Sequence, residues 1–394
     1  METLDTSAGG TGQSTTELMD APLSRAHSPR RFYRPELDGL RFYAFLGVFV
    51  CHTFPLEEAY YHALHLPVPW LFVAVVRAGT SGVDLFFTLS AFLITSLLLK
   101  EREETGAISL RRFYLRRILR IWPLYFLVVA LGIVLAHAMP NAEKLPRHLV
   151  AGYLLFVSNW MYPAIGQIQS ICAPLWTVSI EEQFYILWPA LAKQLRQRGT
   201  VAAAIATFLV ATLSQVGVVL AGVDAGYIYY GSASRAGSFA LGILLAAYAE
   251  RLPKLTRRSR FMLVAGGIIG WIFSAAWLTE QPGPPGMRLV MGRLIIAFAS
   301  VAILYGCLYS SNKLVRGAAV VRLGKVSYGL YMWHFTGLLI AMSLLPWLHV
   351  WKQLGTTALG FVVTVLLAFA SYRWVESPFL RLKDRFTTVL SRPV

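Results

Sequence analysis

The sequence predicts an all-α protein that crosses a membrane about ten times. It is 56% hydrophobic and only 14% charged, and its mean hydropathy of +0.55 lies outside the range of soluble globular proteins. Apolar segments close to the ~20 residues that a bilayer requires recur along its whole length. Basic residues cluster in every second connection between these segments, as the positive-inside rule expects of a multi-pass protein.

The predicted spans are read from the apolar segments, each of them bounded by polar or basic residues. They are 37–55, 82–99, 119–139, 178–195, 201–221, 235–250, 261–278, 290–310, 326–346 and 355–374. A further segment, 148–162, is shorter and interrupted by polar residues. If it crossed the membrane, the basic connections after it would lie outside, so we expect it to be re-entrant or to rest at the outer face. Both termini are then cytosolic.

Three regions are expected along the chain. Residues 1–34 are rich in Gly, Ser and Thr, show no apolar periodicity, and are predicted to form a disordered cytosolic tail. Residues 35–380 form the membrane domain, and residues 381–394 form a short basic cytosolic tail. Although the net charge is +16, the basic residues punctuate the spans and form no groove-sized patch. The expected partner is therefore membrane lipid and not nucleic acid, and the spacing of the three cysteines predicts no metal site.

Two ionisable residues of the first span, Arg41 and His52, share a helical face. Eleven residues make almost three turns, so the two side chains lie about 16 Å apart along that face. Ionisable groups inside a span are costly and usually functional. Arginine suits a phosphate or carboxylate, and histidine suits general-base catalysis near neutral pH. In the alternative interpretation, Arg41 snorkels to the headgroups and His52 caps the helix end.

Two arginines on one helical face, Arg117 and Arg120, lie where the cytosolic connection runs into the third span, at i,i+3 spacing. They lie deeper than a positive-inside anchor requires, directly before Trp122 and Pro123. We therefore expect a phosphate-binding pair at the cytosolic mouth, although some of the neighbouring arginines serve as anchors.

Two spans carry carboxylates that are candidates for the site. Asp84 lies in an apolar run and needs a partner; the sequence leaves open whether it forms a structural ion pair or acts in catalysis. Glu181 and Glu182 diverge by about 100° on a helix, so at most one faces a given site. Ser179 followed by Glu182 has the spacing of a capping box, which leaves Glu181 as the candidate for chemistry.

These segments, in this order, resemble the bacterial acyltransferase-3 family of integral membrane O-acyltransferases. The resemblance covers about residues 35–380. It rests on six collinear matches: Leu37–Arg41 with His52 beyond it, Gly82–Phe87 before Ser90, Arg117 and Arg120 before Pro123 and Tyr125, Trp176–Tyr185, Ser327–Tyr331 before His334, and Glu376–Pro378. One departure is Ala91, which stands where the family generally has glycine and is expected to narrow a helix contact.

The resemblance implies a ten-helix domain that transfers an acyl group, usually acetyl, from a cytosolic coenzyme A thioester to a carbohydrate hydroxyl. It implies that Arg41 and His52 are essential and that Arg117 and Arg120 support binding of the donor. Trp176, Tyr185 and His334 are expected to contact the substrate, although a histidine among aromatic residues such as His334 is more often a packing residue. The implied location is the bacterial inner membrane, with acyl-CoA as a co-substrate and no bound cofactor.

The expected mechanism has His52 deprotonating the acceptor hydroxyl, which attacks the thioester. Glu181 or Asp84 orients the imidazole, as a third group does in catalytic triads. This expectation requires Arg41 and His52 to face one shared chamber. In an alternative of a different class, the protein transports an acylated or anionic lipid, and the same buried charges line the route.

Overall fold

The structure, a computed structural model, describes residues 33–63, 70–138, 144–166, 168–279, 286–345 and 352–386. Within these ranges the chain is helical and contains no strand. The predicted tails fall largely outside them, at 1–32 and 387–394. The helix Ser377–Asp384 runs across the predicted domain boundary at residue 380. Beyond it, the carbonyl oxygen of Phe386 accepts from the guanidinium of Arg116 at 2.8 Å.

The helices follow one another through short connections. In chain order they are α1 (Pro35–Thr53), α2 (Glu58–Ala63), α3 (Trp70–Ala78), α4 (Gly82–Thr105), α5 (Leu110–Ala138), α6 (Arg147–Leu154), α7 (Tyr162–Ile165), α8 (Leu175–Gln194), α9 (Gln197–Leu220), α10 (Gly226–Tyr230), α11 (Ser232–Tyr248), α12 (Arg257–Ser274), α13 (Met287–Cys307), α14 (Lys313–Arg316), α15 (Ala318–Lys325), α16 (Ser327–Leu344), α17 (Lys352–Ser371) and α18 (Ser377–Asp384). Turns of π-helix extend α12 and join α17 to α18.

Every predicted span overlaps one helix: α1, α4, α5, α8, α9, α11, α12, α13, α16 or α17. Six helical stretches in the described part of the chain are long and apolar enough to cross a membrane: Trp70–Thr105, Leu110–Ala138, Gln197–Leu220, Arg257–Leu278, Met287–Cys307 and Gln353–Asp384. Helices α1, α8, α11 and α16 are the predicted spans outside that set. Each of the four contains a buried ionisable residue, respectively Asp38, Glu182, Arg235 and His334.

The distribution of buried residues divides the helices into an inner and an outer group. Helices α9 and α12 bury only 17% of their most apolar windows, and they expose large apolar side chains such as Leu213 and Phe261. Along α1 and α16, by contrast, most residues are buried. Helices α1 and α16 therefore lie inside, and the apolar outer faces of α9 and α12 suit contact with lipid.

Small residues allow the inner helices to approach closely. A Cβ atom on Gly82 of α4 would lie 2.3 Å from the carbonyl oxygen of Ala44 on α1. At the contact between α4 and α11, a Cβ on Gly242 would lie 2.9 Å from the Cβ of Ala91. The departure at Ala91 is thus accommodated by a glycine on the facing helix, and the contact is tight, as expected.

The segment 148–162 is divided into short pieces. Helix α6 has eight residues, a single 3₁₀ turn covers Ser158–Trp160, and α7 has four residues. Phe156 adopts a positive φ of 55° between them. At 1.5 Å per residue, neither helix is long enough to cross a bilayer.

The start of α8 differs from the prediction. The helix begins at Leu175, so Ser179 lies in its second turn and the prediction that Ser179 is the N-cap is wrong. The hydroxyl of Ser179 instead lies 2.9 Å from the hydroxyl of Ser158. The earlier start arises because Pro174 serves as the N-cap and the residues after it continue the helix.

Candidate active site

A cavity of about 150 Å³ lies among the inner helices α1, α4, α5, α8 and α16. It is lined by Tyr33, Arg34, Leu37, Asp38, Arg41, Val83, Phe86, Phe87, Ser90, Leu93, Ile94, Leu97, Arg117, Arg120, Ile121, Thr177, Val178, Glu181, Tyr185, Ser327, Tyr328 and Tyr331. We call it the arginine-lined cavity. It lies beside the first two turns of α1 and the N-terminal half of α5.

Four arginines and two carboxylates line this cavity, so its lining carries an excess of positive charge. Arg41 pairs with Asp38 one turn before it, with 3.2 Å between Nη1 and Oδ1. The guanidinium of Arg117 lies over the rings of Phe113 and Tyr185, at 5.4 and 5.1 Å from their centroids. Guanidinium groups held in this way suit an anion such as a phosphate or a carboxylate.

Helix α4 contributes one stripe of side chains to the cavity. Val83, Phe86, Phe87, Ser90, Leu93, Ile94 and Leu97 recur at spacings of three and four, the period of one helical face. The stripe is apolar except for Ser90. The Ser90 hydroxyl donates to Glu181 Oε1 at 2.7 Å and accepts from the Tyr185 hydroxyl at 3.1 Å. These bonds join α4 to α8 at the cavity wall.

The two adjacent glutamates of α8 face different surroundings, as the helical angle between them requires. Glu181 lies on the cavity, whereas Glu182 is buried on another face, where the indole nitrogen of Trp122 donates to its Oε2 at 3.3 Å. The capping-box argument that singled out Glu181 does not hold at Ser179, but the angle between the two residues still leaves only Glu181 on the cavity.

His52 and His334 do not line the arginine-lined cavity. His52 is exposed near the end of α1, and its Nδ1 donates to the carbonyl oxygen of Val48 at 2.8 Å. His334 is fully buried on α16, and the two imidazole rings have centroids 5.3 Å apart. Phe45 and Val48, both completely buried, occupy the face of α1 between Arg41 and His52. The expected chamber shared by Arg41 and His52 is thus interrupted in this structure.

Tyr331 lies between the cavity and the histidines. Its ring lines the cavity and has its centroid 5.3 Å from that of His334. Its hydroxyl lies 2.8 Å from that of Thr177 and donates to the carbonyl oxygen of Pro174 at 3.3 Å. Tyr331 and Thr177 therefore join α16 to α8 and close the end of the cavity nearest His52.

Asp84 and Trp176 lie neither on the arginine-lined cavity nor beside the two histidines. Asp84 accepts from Arg235 at 2.8 Å and from Ser238 at 2.9 Å, and Arg293 lies 3.6 Å from it. These contacts tie α4 to α11 and α13, as the structural alternative for Asp84 expects. Trp176 is buried against Tyr229 and Tyr230, with centroids 5.3 and 4.9 Å away.

Five of the nine candidate residues line the cavity: Arg41, Arg117, Arg120, Glu181 and Tyr185. His52, His334, Asp84 and Trp176 lie outside it. Sequence reasoning left out Ser90, Thr177 and Tyr331 as site residues, although all three line the cavity. The sequence does contain a signal for Ser90, because it is the polar residue in the otherwise apolar stripe of α4.

Comparisons with known proteins identify the family of this chain. Residues 34–373 match the family described as "Acyltransferase domain", so the chain belongs to this acyltransferase family. It is similar to a Staphylococcus aureus protein named O-acetyltransferase OatA, with 30% identity in an alignment that covers 90% of this chain and 58% of the relative. It is also similar to the peptidoglycan O-acetyltransferase OatA of Listeria monocytogenes, with 28% identity over 88% of this chain and 56% of the relative.

The chain spans less than three fifths of the length of these curated relatives. No solved structure matches it. The family and the apolar helices together make it a multi-pass membrane protein.

Proposed function

We propose that this protein is an O-acyltransferase that moves an acyl group from acyl-CoA to a hydroxyl of a carbohydrate or glycosylated acceptor. We expect the acyl group to be acetyl. The observation that carries the proposal is the arginine-lined cavity, which ends at Tyr331 beside a pair of histidines. The family and the names of the relatives, which act as O-acetyltransferases and in one case on peptidoglycan, support acyl transfer to a carbohydrate.

The donor enters at the arginine end of the cavity. Arg41, Arg117 and Arg120 bind the phosphates of acyl-CoA through charge-assisted hydrogen bonds. The cavity, at about 150 Å³, is smaller than the roughly 300–1,000 Å³ of common ligand pockets. It therefore suits a narrow chain such as the pantetheine arm, while the nucleotide stays at the mouth. The aromatic and aliphatic stripe of α4 faces that chain.

The acceptor hydroxyl approaches from the exposed side of His52. Because His52 Nδ1 donates to Val48, its Nε2 carries the lone pair and suits a general base. The acceptor oxygen bonds to the thioester carbonyl carbon as its proton moves to Nε2, and the carbon–sulfur bond breaks. The proton then passes to the departing thiolate, which leaves as the thiol of coenzyme A.

Tyr331 must move for the two substrates to meet. Its ring separates the cavity from the histidines, and its hydroxyl bonds to α8 hold it there. We infer that arrival of the acyl end displaces this ring, so that the thioester reaches His52 only when donor is bound. Glu181 acts in the cavity with Ser90 and Tyr185, at a distance from His52, and so does not orient the imidazole.

We further propose that all ten helices that overlap the predicted spans cross the bacterial inner membrane, with both termini cytosolic. The basic connections of the sequence support this orientation. It puts the arginine end of the cavity on the cytosolic side, where acyl-CoA is made, and the exposed His52 on the other side.

Purified protein in detergent tests the proposal. We expect release of free coenzyme A from acetyl-CoA and labelled acetyl on a carbohydrate acceptor, with no membrane gradient. His52→Ala should fold and bind donor but lose at least ~10²-fold in kcat, the lower end of what a general base contributes. A transporter would release no coenzyme A in detergent, and a His52→Ala variant with wild-type turnover would refute the role of His52.

A further inference from the structure

His334 carries a buried nitrogen with no hydrogen-bond partner among the described residues. Its side chain is completely buried, and its Nδ1 lies 2.5 Å from the carbonyl oxygen of Tyr331. A carbonyl only accepts, so Nδ1 carries the hydrogen and Nε2 carries the lone pair. Nε2 has no donor. A buried acceptor left unsatisfied costs about 1–3 kcal/mol, so its presence requires an explanation.

The rings around His334 restrict which group could donate to Nε2. They are Phe45, Phe335, Tyr331 and His52, with centroids 6.3, 4.8, 5.3 and 5.3 Å from the imidazole. The two phenylalanines have no donor. The Tyr331 hydroxyl is engaged with Thr177 and Pro174. Among these ring neighbours, His52 is therefore the candidate donor.

Neutral His52 cannot supply that donor. Its hydrogen is on Nδ1, which bonds to the carbonyl oxygen of Val48. A hydrogen appears on Nε2 only when His52 has accepted a proton. The lone pair of His334 is thus complementary to protonated His52 and unsatisfied beside the neutral form.

We propose that His334 is a positioning residue that accepts a hydrogen bond from Nε2–H of His52 after His52 has taken the proton of the acceptor hydroxyl. This inference rests on the proposed function of His52 as the general base. The proton leaves the acceptor oxygen as that oxygen bonds to the acyl carbon. The single Nε2–H of His52 then forms a three-centre hydrogen bond to the acceptor oxygen and to His334 Nε2, and the proton passes to the thiolate as the carbon–sulfur bond breaks.

This arrangement stabilises the charged intermediate more than the ground state. An interaction formed only as charge develops raises kcat, whereas one present throughout mainly lowers KM. A histidine that merely fills space in the core would instead affect stability, and its replacement by a ring of similar shape would be tolerated.

Three variants on α16 test the proposal: His334→Phe, His334→Gln and Ser343→Ala. Phenylalanine keeps a planar ring but removes the acceptor, and glutamine keeps an acceptor oxygen near the position of Nε2. Ser343 is exposed and bonds only to the carbonyl oxygen of Leu339 within the structure's described residues, so Ser343→Ala is the control. Thermal unfolding in detergent reports folding, and steady-state kinetics with acetyl-CoA separate kcat from KM.

We expect His334→Phe to lower kcat by about 10²-fold, the size of loss seen when one preorganised hydrogen bond is removed. Its KM for acetyl-CoA should stay within twofold, because the donor end is untouched. His334→Gln should recover at least tenfold of that loss, and Ser343→Ala should match the wild type. If His334→Phe fails to fold, His334→Leu takes its place in the comparison with His334→Gln.

Wild-type kcat in the folded Phe or Leu variant would overturn the proposal, as would equal loss in the Gln and Phe variants. These results are distinguishable from failure of the proposed function. In that case the wild type and Ser343→Ala would themselves transfer no acetyl group, or His52→Ala would remain active.

Discussion

Arg117 illustrates how single residues prepare the cavity for an anion. Its guanidinium lies over the rings of Phe113 and Tyr185, which cover its faces and leave its edge for hydrogen bonds. Arg41, by contrast, already has an acidic partner in Asp38. Arg117 is therefore expected to contribute more to the binding of a phosphate than Arg41.

Replacement of Arg117 by alanine should raise the KM for acetyl-CoA about 10- to 100-fold, because a charge-assisted hydrogen bond contributes about 1.5–3 kcal/mol. The kcat at saturating donor should change little. Arg111→Ala is the matched control, since Arg111 is exposed on the same helix. An unchanged KM in Arg117→Ala would contradict the assignment of Arg117 to the donor site.

The buried carboxylate of Asp84 is expected to act in stability and not in catalysis. Its carboxylate neutralises Arg235 and lies near Arg293 inside the bundle. Asp84→Asn should lower the free energy of unfolding by about 3–5 kcal/mol, because it leaves a buried arginine uncompensated. The folded fraction should keep the kcat of the wild type.

The double variant Asp84→Asn with Arg235→Gln should recover part of that stability, because the two losses are coupled. Chemical denaturation in detergent and the kcat of the folded fraction are the measurements. A stable Asp84→Asn variant that lacks activity would show that Asp84 acts in catalysis.

The sequence identifies which charges lie deep in a helix but not which of them face the same cavity. Arg117, Arg120 and Glu181 line the cavity, whereas Asp84 and Glu182 are buried elsewhere. On α4 the buried carboxylate of Asp84 does not mark the face that lines the cavity, because Asp84 and Ser90 lie on different faces of the helix. The spacing of Val83, Phe87 and Ser90 by three and four residues identifies the face of α4 that lines the cavity. The pairing of Asp84 with Arg235 does not follow from this spacing, because Arg235 lies on the distant α11.

At the scale of the helix, the contact of α1 with α4 holds the arginine-lined cavity together. Gly82 permits this contact, since a Cβ atom there would meet the backbone of Ala44. Which helices lie inside depends on packing between segments far apart in the chain, and hydropathy alone does not identify them. Helix α4 lies inside although Trp70–Thr105 is apolar enough to cross a membrane, with 67% of its most apolar window buried.

Gly82→Ala should destabilise the protein by about 1–3 kcal/mol, the usual cost of overpacking, because α1 and α4 must separate. Gly217→Ala on α9 is the control, since its Cβ atom would meet nothing within 4 Å and alanine favours a helix. Thermal unfolding in detergent should give a lower Tm for the first variant and an unchanged or higher Tm for the second. Equal Tm values would contradict the packing described here.

At the scale of the whole molecule, the two ends of α1 have different roles. Arg41 lies in the cavity near one end, and His52 is exposed near the other, about 16 Å away by helical rise. Apolar outer helices surround this pair of sites. The composition predicted the membrane, and the shared face of α1 predicted that both residues matter, but the closure by Tyr331 between them arises from α16 and was not predictable from α1.

We propose an arrangement in which donor and acceptor reach the protein from opposite faces of the membrane. It is tested by transfer across liposomes in which the protein has one orientation, with labelled acetyl-CoA outside, on the side of the arginine-lined cavity, and a carbohydrate acceptor sealed inside. We expect labelled acetyl on the sealed acceptor and free coenzyme A outside, both lost in His52→Ala. Transfer that occurs only when acetyl-CoA and acceptor share one compartment would show that donor and acceptor do not use opposite faces.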